Sequence, residues 1–196
     1  MALSLTLHEL NLAALAPEIL LMLGICVFLV VEALTGRKER SMRADRMALL
    51  VLVAPLVAVL WQYNHGPQQA FGHMYLADDL AYLLKVCGIV CTGSIIIYSR
   101  GYMADRGIRG ADLYVLALFS LLGQMVMISG GNLLVLYLGL ELMSLSLYAA
   151  IGLRRNWMQG TEAAMKYFVL GAFSSAFLLL GSAFLYGVSG SVSYSE

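Results

Sequence analysis

Apolar residues in this chain fall into six long runs, each ended by a short polar or glycine-rich segment. The runs cover about 17–34, 47–63, 80–98, 113–128, 133–153 and 161–188. Each is close to the roughly 20 residues an α-helix needs to cross a bilayer. The pattern predicts an all-α, polytopic membrane protein, a single transmembrane domain over 1–196 with about six helices. Local punctuation agrees with these bounds. Pro17 suits a first helical position and Glu18 the positive N-terminal end of helix 1, and Thr35-Gly36 stops it. Asn64-His65-Gly66-Pro67 breaks the chain after helix 2, Asp78 and Asp79 favour the start of helix 3, and Gly130-Gly131-Asn132 turns it between helices 4 and 5.

Charge orients this array. Ten of the twelve Lys and Arg residues sit in alternate connecting segments: Arg37, Lys38, Arg40, Arg43 and Arg46, then Arg100, Arg106 and Arg109, then Arg154 and Arg155. The segments between carry none. By the positive-inside rule, loops 1–2, 3–4 and 5–6 face the cytoplasm and the N-terminus lies on the non-cytoplasmic side. The first residues lack a basic n-region and contain Glu9, so they read as the start of the mature protein. The chain is 61% hydrophobic, 12% charged and of zero formal net charge, which leaves no room for a soluble domain beside the helices. No basic patch interleaved with aromatics points to nucleic acid, so the expected surroundings are the lipid bilayer and other membrane proteins. Cys26, Cys87 and Cys91 lie in apolar runs and read as small packing residues.

Charges inside the runs carry the chemistry, because an ionisable group at that depth is costly and marks function. Glu141 stands about 13 Å from the outer end of helix 5, near mid-bilayer. Tyr137, Glu141, Ser144 and Tyr148 recur at spacings of four, three and four, one polar stripe that should face helices or water rather than lipid. A carboxyl there, with its protonation easily biased by neighbours, suits a proton relay. Lys166 enters helix 6 one turn after Glu162, an acid-first i, i+4 pair that also fits a local ion pair near the inner surface. Opposed across a helix 5–6 hairpin, Lys166 should lie about 10 Å nearer the cytoplasm than Glu141, too far for a direct bond. Lys85, one and a half turns into helix 3, is a supporting candidate whose ordinary behaviour would be to snorkel outward. Glu18 and Glu32 near the ends of helix 1 read as interfacial, and His8, His65 and His73 show no ligand spacing.

The stretch from Asn132 through Leu-Tyr-Leu-Gly-Leu-Glu141-Leu-Met-Ser-Leu-Ser-Leu-Tyr, and that from Gly160-Thr-Glu-Ala-Ala-Met-Lys166 through Ser-Ala-Phe-Leu-Tyr-Gly-Val-Ser-Gly190, resemble subunit N of bacterial NADH–quinone oxidoreductase, complex I. Ala16-Pro17-Glu18-Ile19 is similar to that subunit too. The resemblance implies the first part of an antiporter-like helix bundle in the bacterial inner membrane, with the remainder of the subunit lying beyond these 196 residues. It makes Glu141 the helix-5 glutamate and Lys166 a helix-6 lysine of the proton path, with Glu162 an acid one turn before it; the residues themselves add Tyr137, Ser144, Tyr148 and Lys85 as relay support. It implies partners among the other membrane-arm subunits and no cofactor in this chain, with NADH, FMN, iron–sulfur clusters and quinone bound by or between other subunits. Two other readings fit the same residues: a subunit of a related Na⁺/H⁺ antiporter or membrane-bound hydrogenase, and a non-translocating membrane scaffold.

Overall fold

The computed structural model describes residues 11–34, 40–72, 74–105, 110–154 and 157–194, without the side chains at 40–43 and 104. Arg37, Lys38, Arg106, Arg109 and Arg155 of the basic segments, with His8, Glu9, His73 and the Thr35-Gly36 stop, lie outside the described residues. Six helices follow in order: α1 (Ala16–Leu34), α2 (Arg40–Tyr63), α3 (Asp79–Asp105), α4 (Gly110–Ile128), α5 (Leu133–Ile151) and α6 (Met158–Ser189). All six are long and apolar enough to cross a membrane. Between α2 and α3 the chain makes something the apolar pattern does not announce. Strands β1 (Gln68–Ala70) and β2 (Tyr75–Ala77) pair antiparallel, Gln69 opposite Leu76, around a turn in which Phe71 and Gly72 take positive φ.

The hairpin covers one end of the bundle. Tyr75 bridges to Gly130, the Leu76 amide donates to the Ser129 carbonyl at 2.9 Å, and the Gly131 amide donates to Met74 O at 2.8 Å. The chain after α6 joins the same mat, since the Leu133 amide donates to Val192 O and Asn132 bridges to Ser193. Asn132 also caps α5, its side chain accepting from the Val135 amide at 2.7 Å, and Asp78 does the same for α3 through the Ala81 amide. Backbone groups that no helix can satisfy are thus paired where the chain leaves the apolar layer. The opposite end carries the described basic residues Arg46, Arg100 and Arg154. There the Arg100 guanidinium pairs with Asp45 at 2.5 Å and ties the end of α3 to the start of α2.

Helices α1 to α4 form one core, with α4 in its middle, packed against α1, α2, α3 and α5. The inward stripes keep a helical period: Ala14, Glu18, Leu21, Ile25 and Phe28 before and on α1, Ala48, Leu52 and Val59 on α2, Tyr82, Lys85, Ile89, Thr92 and Ile96 on α3. The outward faces remain apolar, among them Leu23, Val27, Leu83, Val90, Phe173 and Phe177. All three cysteines are exposed on the outward faces of their helices.

Between lipid-facing helices there is no hydrophobic drive to associate, so close backbone contact matters. At the α4–α5 crossing a methyl added to Gly123 would lie 2.5 Å from the Met143 nitrogen and 2.6 Å from the Gly139 carbonyl oxygen. One added to Gly139 would lie 2.6 Å from the Met127 nitrogen. Neither helix can carry a side chain there without being pushed away. Gly123→Ala and Gly139→Ala should each destabilise the protein by roughly 1–3 kcal/mol, as overpacking does. Thermal melting in detergent checks this against Gly181→Ala, whose new methyl meets nothing within 4 Å and should leave the melting temperature unchanged.

Candidate functional site

Two groups of polar side chains enter the apolar layer, on opposite sides of the α4–α5 crossing. The first is the α5 stripe. Glu141 is one residue from the midpoint of the 19-residue α5. It is partly buried, and its Oε1 is enclosed without a hydrogen-bond partner among the described residues. At 3.6 residues per turn, Tyr137, Glu141, Ser144 and Tyr148 point roughly opposite to Gly139 and Met143, away from α4. Ser144 and Tyr148 line a cleft of about 480 Å³ between α5 and α6, facing Gly171, Ser174 and Ser175. Tyr148 stands edge-on to Tyr167, 5.1 Å between centroids, and to Phe168 at 5.6 Å. Lys166 does not enter this cleft. It lies on the outward face of α6, 72% exposed, and its ammonium pairs with Glu162 on the same face.

The second group is a buried ion pair. Lys85, on the inward stripe of α3, has no exposed surface, and Glu18 in the first turn of α1 is 5% exposed. The Lys85 Nζ lies 2.7 Å from Glu18 Oε1. Between them β2 places Tyr75, whose hydroxyl is 3.0 Å from both Glu18 carboxylate oxygens, 3.1 Å from Ala14 O and 2.8 Å from Lys85 Nζ. The ammonium also sits 4.9 Å from the centre of the Tyr75 ring. Burial first, and the Glu18 charge second, push the Tyr75 phenol far above its ordinary range, so it stays protonated and able to donate. Gln62, fully buried near the end of α2, donates to the same Ala14 carbonyl at 3.1 Å and to Ala13 O. Its Oε1 is buried without a hydrogen-bond partner among the described residues, and the Ser129 Oγ is buried beside the Tyr75 hydroxyl.

Lys85 therefore turns inward to Glu18, and both side chains are enclosed by protein at the hairpin end. An ammonium one and a half turns into α3 could reach the surface only past β2, and the hairpin covers that path. Sequence reasoning missed Glu18 and Tyr75. The α1 register that aligns Glu18 with Leu21, Ile25 and Phe28 has no contrast in a helix apolar on every side. For the hairpin a faint signal exists, Gln-Gln-Ala and Tyr-Leu-Ala on either side of Phe71-Gly72. Among the described residues, no three His, Cys, Asp or Glu side chains converge as metal ligands.

A six-span bundle with an ion pair inside it and a carboxyl at mid-helix defines a polytopic membrane protein with ionisable groups enclosed among its helices. Residues 130–196 match the family model described as NADH:quinone oxidoreductase/Mrp antiporter, transmembrane. Subunit N of NADH-quinone oxidoreductase from Herminiimonas arsenicoxydans is 43% identical over 97% of this chain and 39% of its own length. Its counterpart from Paraburkholderia phymatum is 45% identical over 93% of this chain and 38% of its own. The chain spans about two fifths of the length of these relatives. A chain of respiratory complex I from Thermus thermophilus superposes with a TM-score of 0.76 at 28% identity, covering 92% of this chain and 38% of that one. A chain of an archaeal membrane-bound sulfane sulfur reductase shares the fold, with the same TM-score and coverage at 20% identity. The chain aligns over nearly its whole length with the N-terminal portion of these subunit N relatives.

Removing one partner of a buried pair leaves the other charge uncompensated, at a cost of roughly 3–5 kcal/mol. Lys85→Met should lower the melting temperature in detergent accordingly. The double change Glu18→Gln/Lys85→Met, which removes both charges, should recover most of it.

Proposed function

We propose that this chain forms the proton-handling first part of a complex I membrane subunit, with Glu141 as the group that takes up and gives up the proton. The observation that carries this reading is the Glu141 carboxyl itself, at mid-helix with one oxygen enclosed and unpartnered. An enclosed carboxyl without a partner calls for a polar or cationic group to answer it. The α5 stripe looks away from α4, so the cation that answers Glu141 belongs to a part of the complex outside the α1–α4 core.

In this reading, quinone reduction elsewhere in the complex shifts the charge pattern along the membrane arm. Glu141 then alternates between facing a cation and releasing it. Ser144 and Tyr148 supply the polar wall along which water can carry the proton through the α5–α6 cleft. Lys166 and Glu162, exposed together at the far end of the cleft, present exchangeable charge at the opposite surface, and Tyr137 continues the stripe toward the hairpin. NADH, FMN, iron–sulfur clusters and quinone belong to other subunits, and the other membrane-arm subunits are the partners of this one. Arg46, Arg100 and Arg154 at one end, and no described basic residue in the hairpin, support an orientation in the bacterial inner membrane with the hairpin and the N-terminus on the non-cytoplasmic side.

Glu141→Gln keeps the shape of the side chain and removes its charge. In membranes of the source organism the variant should assemble in normal amount, oxidise NADH more slowly, and form a pH gradient at a rate reduced roughly tenfold, equivalent to about 1.4 kcal/mol on the limiting step. A fluorescent pH-gradient assay checks this. Gradient formation at the wild-type rate would sink the role given to Glu141.

A further inference from the structure

The polar cluster at the hairpin end has more hydrogen-bonding capacity than its own residues use. Gln62 spends both donors on the carbonyls of Ala13 and Ala14, which leaves its Oε1 without a donor among the described residues. Ser129 stands beside Tyr75, just after α4, with its Oγ enclosed next to the Tyr75 hydroxyl. Both side chains are fully buried. Unpaired polar atoms at such sites are ordinarily satisfied by ordered water, provided several polar partners converge. Here Tyr75 meets that condition, in contact with Glu18, Lys85 and the Ala14 carbonyl at once.

We propose that Glu18, Tyr75 and Lys85, with water held by Gln62 and Ser129, form a second proton-exchange site beneath the hairpin, distinct from Glu141. This rests on the reading of the subunit as a proton translocator. With donor and acceptor 2.7 Å apart, a proton can pass from Lys85 to Glu18. The Nζ–H bond breaks as an Oε1–H bond forms, and the two charges vanish together with no atom gained or lost. In the neutral form neither group needs the other, so the Glu18 Oε1–H proton passes to a bound water that relays it onward, while the Lys85 Nζ takes one proton from a second water supplied by bulk solvent, and the ion pair is restored with one proton in and one out. Tyr75 touches both carboxylate oxygens and the ammonium, and holds the two at transfer distance. The groups facing the pair are Tyr75 from β2, Ser129 just after α4 and Gln62 from α2, with Tyr82 and Asp78 at the start of α3. The pair is thus the only oppositely charged couple among the described residues enclosed within the α1–α4 core.

The opposing possibility is a latch that fastens α1, α3 and the hairpin and moves no proton. The two differ in the variant that removes both charges. Glu18→Gln/Lys85→Met, introduced into the subunit in its own complex, leaves no buried charge unpaired and should assemble in normal amount. The site predicts that gradient formation then falls roughly tenfold, as expected when a proton-transfer step loses about 1.4 kcal/mol of stabilisation. A latch predicts assembly and a wild-type gradient, and that outcome overturns the proposal. If the double variant does not assemble, Tyr75→Phe decides, because it keeps the ring and deletes only the hydroxyl. A slowed gradient at normal assembly is the expected result, and a wild-type rate overturns the site. Glu141→Gln measured alongside separates the two claims. A slow gradient in the double variant with a normal one in Glu141→Gln removes the role of Glu141 alone, and the reverse removes this site alone.

Discussion

An ammonium group enclosed in a hydrocarbon layer persists only where something answers its charge. In this chain that requirement falls on Lys85, and the arrangement at one end of the bundle follows from it. Glu18 must come within bonding distance, which brings the first turn of α1 against α3. Tyr75 must stand between them, which draws the hairpin down onto the helix ends. Once the hairpin is there, its backbone pairs with the α4–α5 turn through Ser129, Gly130 and Gly131. A charge, a carboxylate and a phenol thus organise elements that lie up to about 70 residues apart in sequence.

The rest of the bundle is held differently. Apolar side chains gain little by leaving lipid for one another, so shape decides which helices touch. The glycines of α4 and α5 allow backbone contact, and that contact sets the middle of the molecule. The four-helix core on one side of α4 is closed, whereas α5 and α6 present a polar cleft and broad apolar faces on the other. The two polar groups divide along the same line. One is sealed in the core with its charges paired, and the other lies along the open side with a lone carboxyl.

Much of the architecture was legible in the chain, because crossing a bilayer imposes a length and a composition that leave a direct trace. The six spans and the unusual standing of Glu141 could be read from residues alone. The acid-first spacing of Glu162 and Lys166 also allowed for the local ion pair that they form. What could not be read was direction around each helix axis. In α1 and α3 every face is apolar, so nothing in the pattern distinguishes the side that turns inward. Glu18 and Lys85 consequently looked like residues near helix ends, free to reach water, when each sits on the buried stripe of its helix. The hairpin was hidden for a related reason, since two three-residue strands give almost no periodicity.

The contact at Gly123 and Gly139 carries a mechanical meaning as well. Two helices whose backbones touch have no compliant layer of side chains between them, so neither can rock or slide without carrying the other. α4 and α5 therefore behave as one plank, with Glu141 on its open face and the packing surfaces for α1, α2 and α3 on its other. An electrostatic tug on the Glu141 carboxyl would be felt by the whole four-helix core as a rigid displacement, with no wire of polar residues needed to carry it.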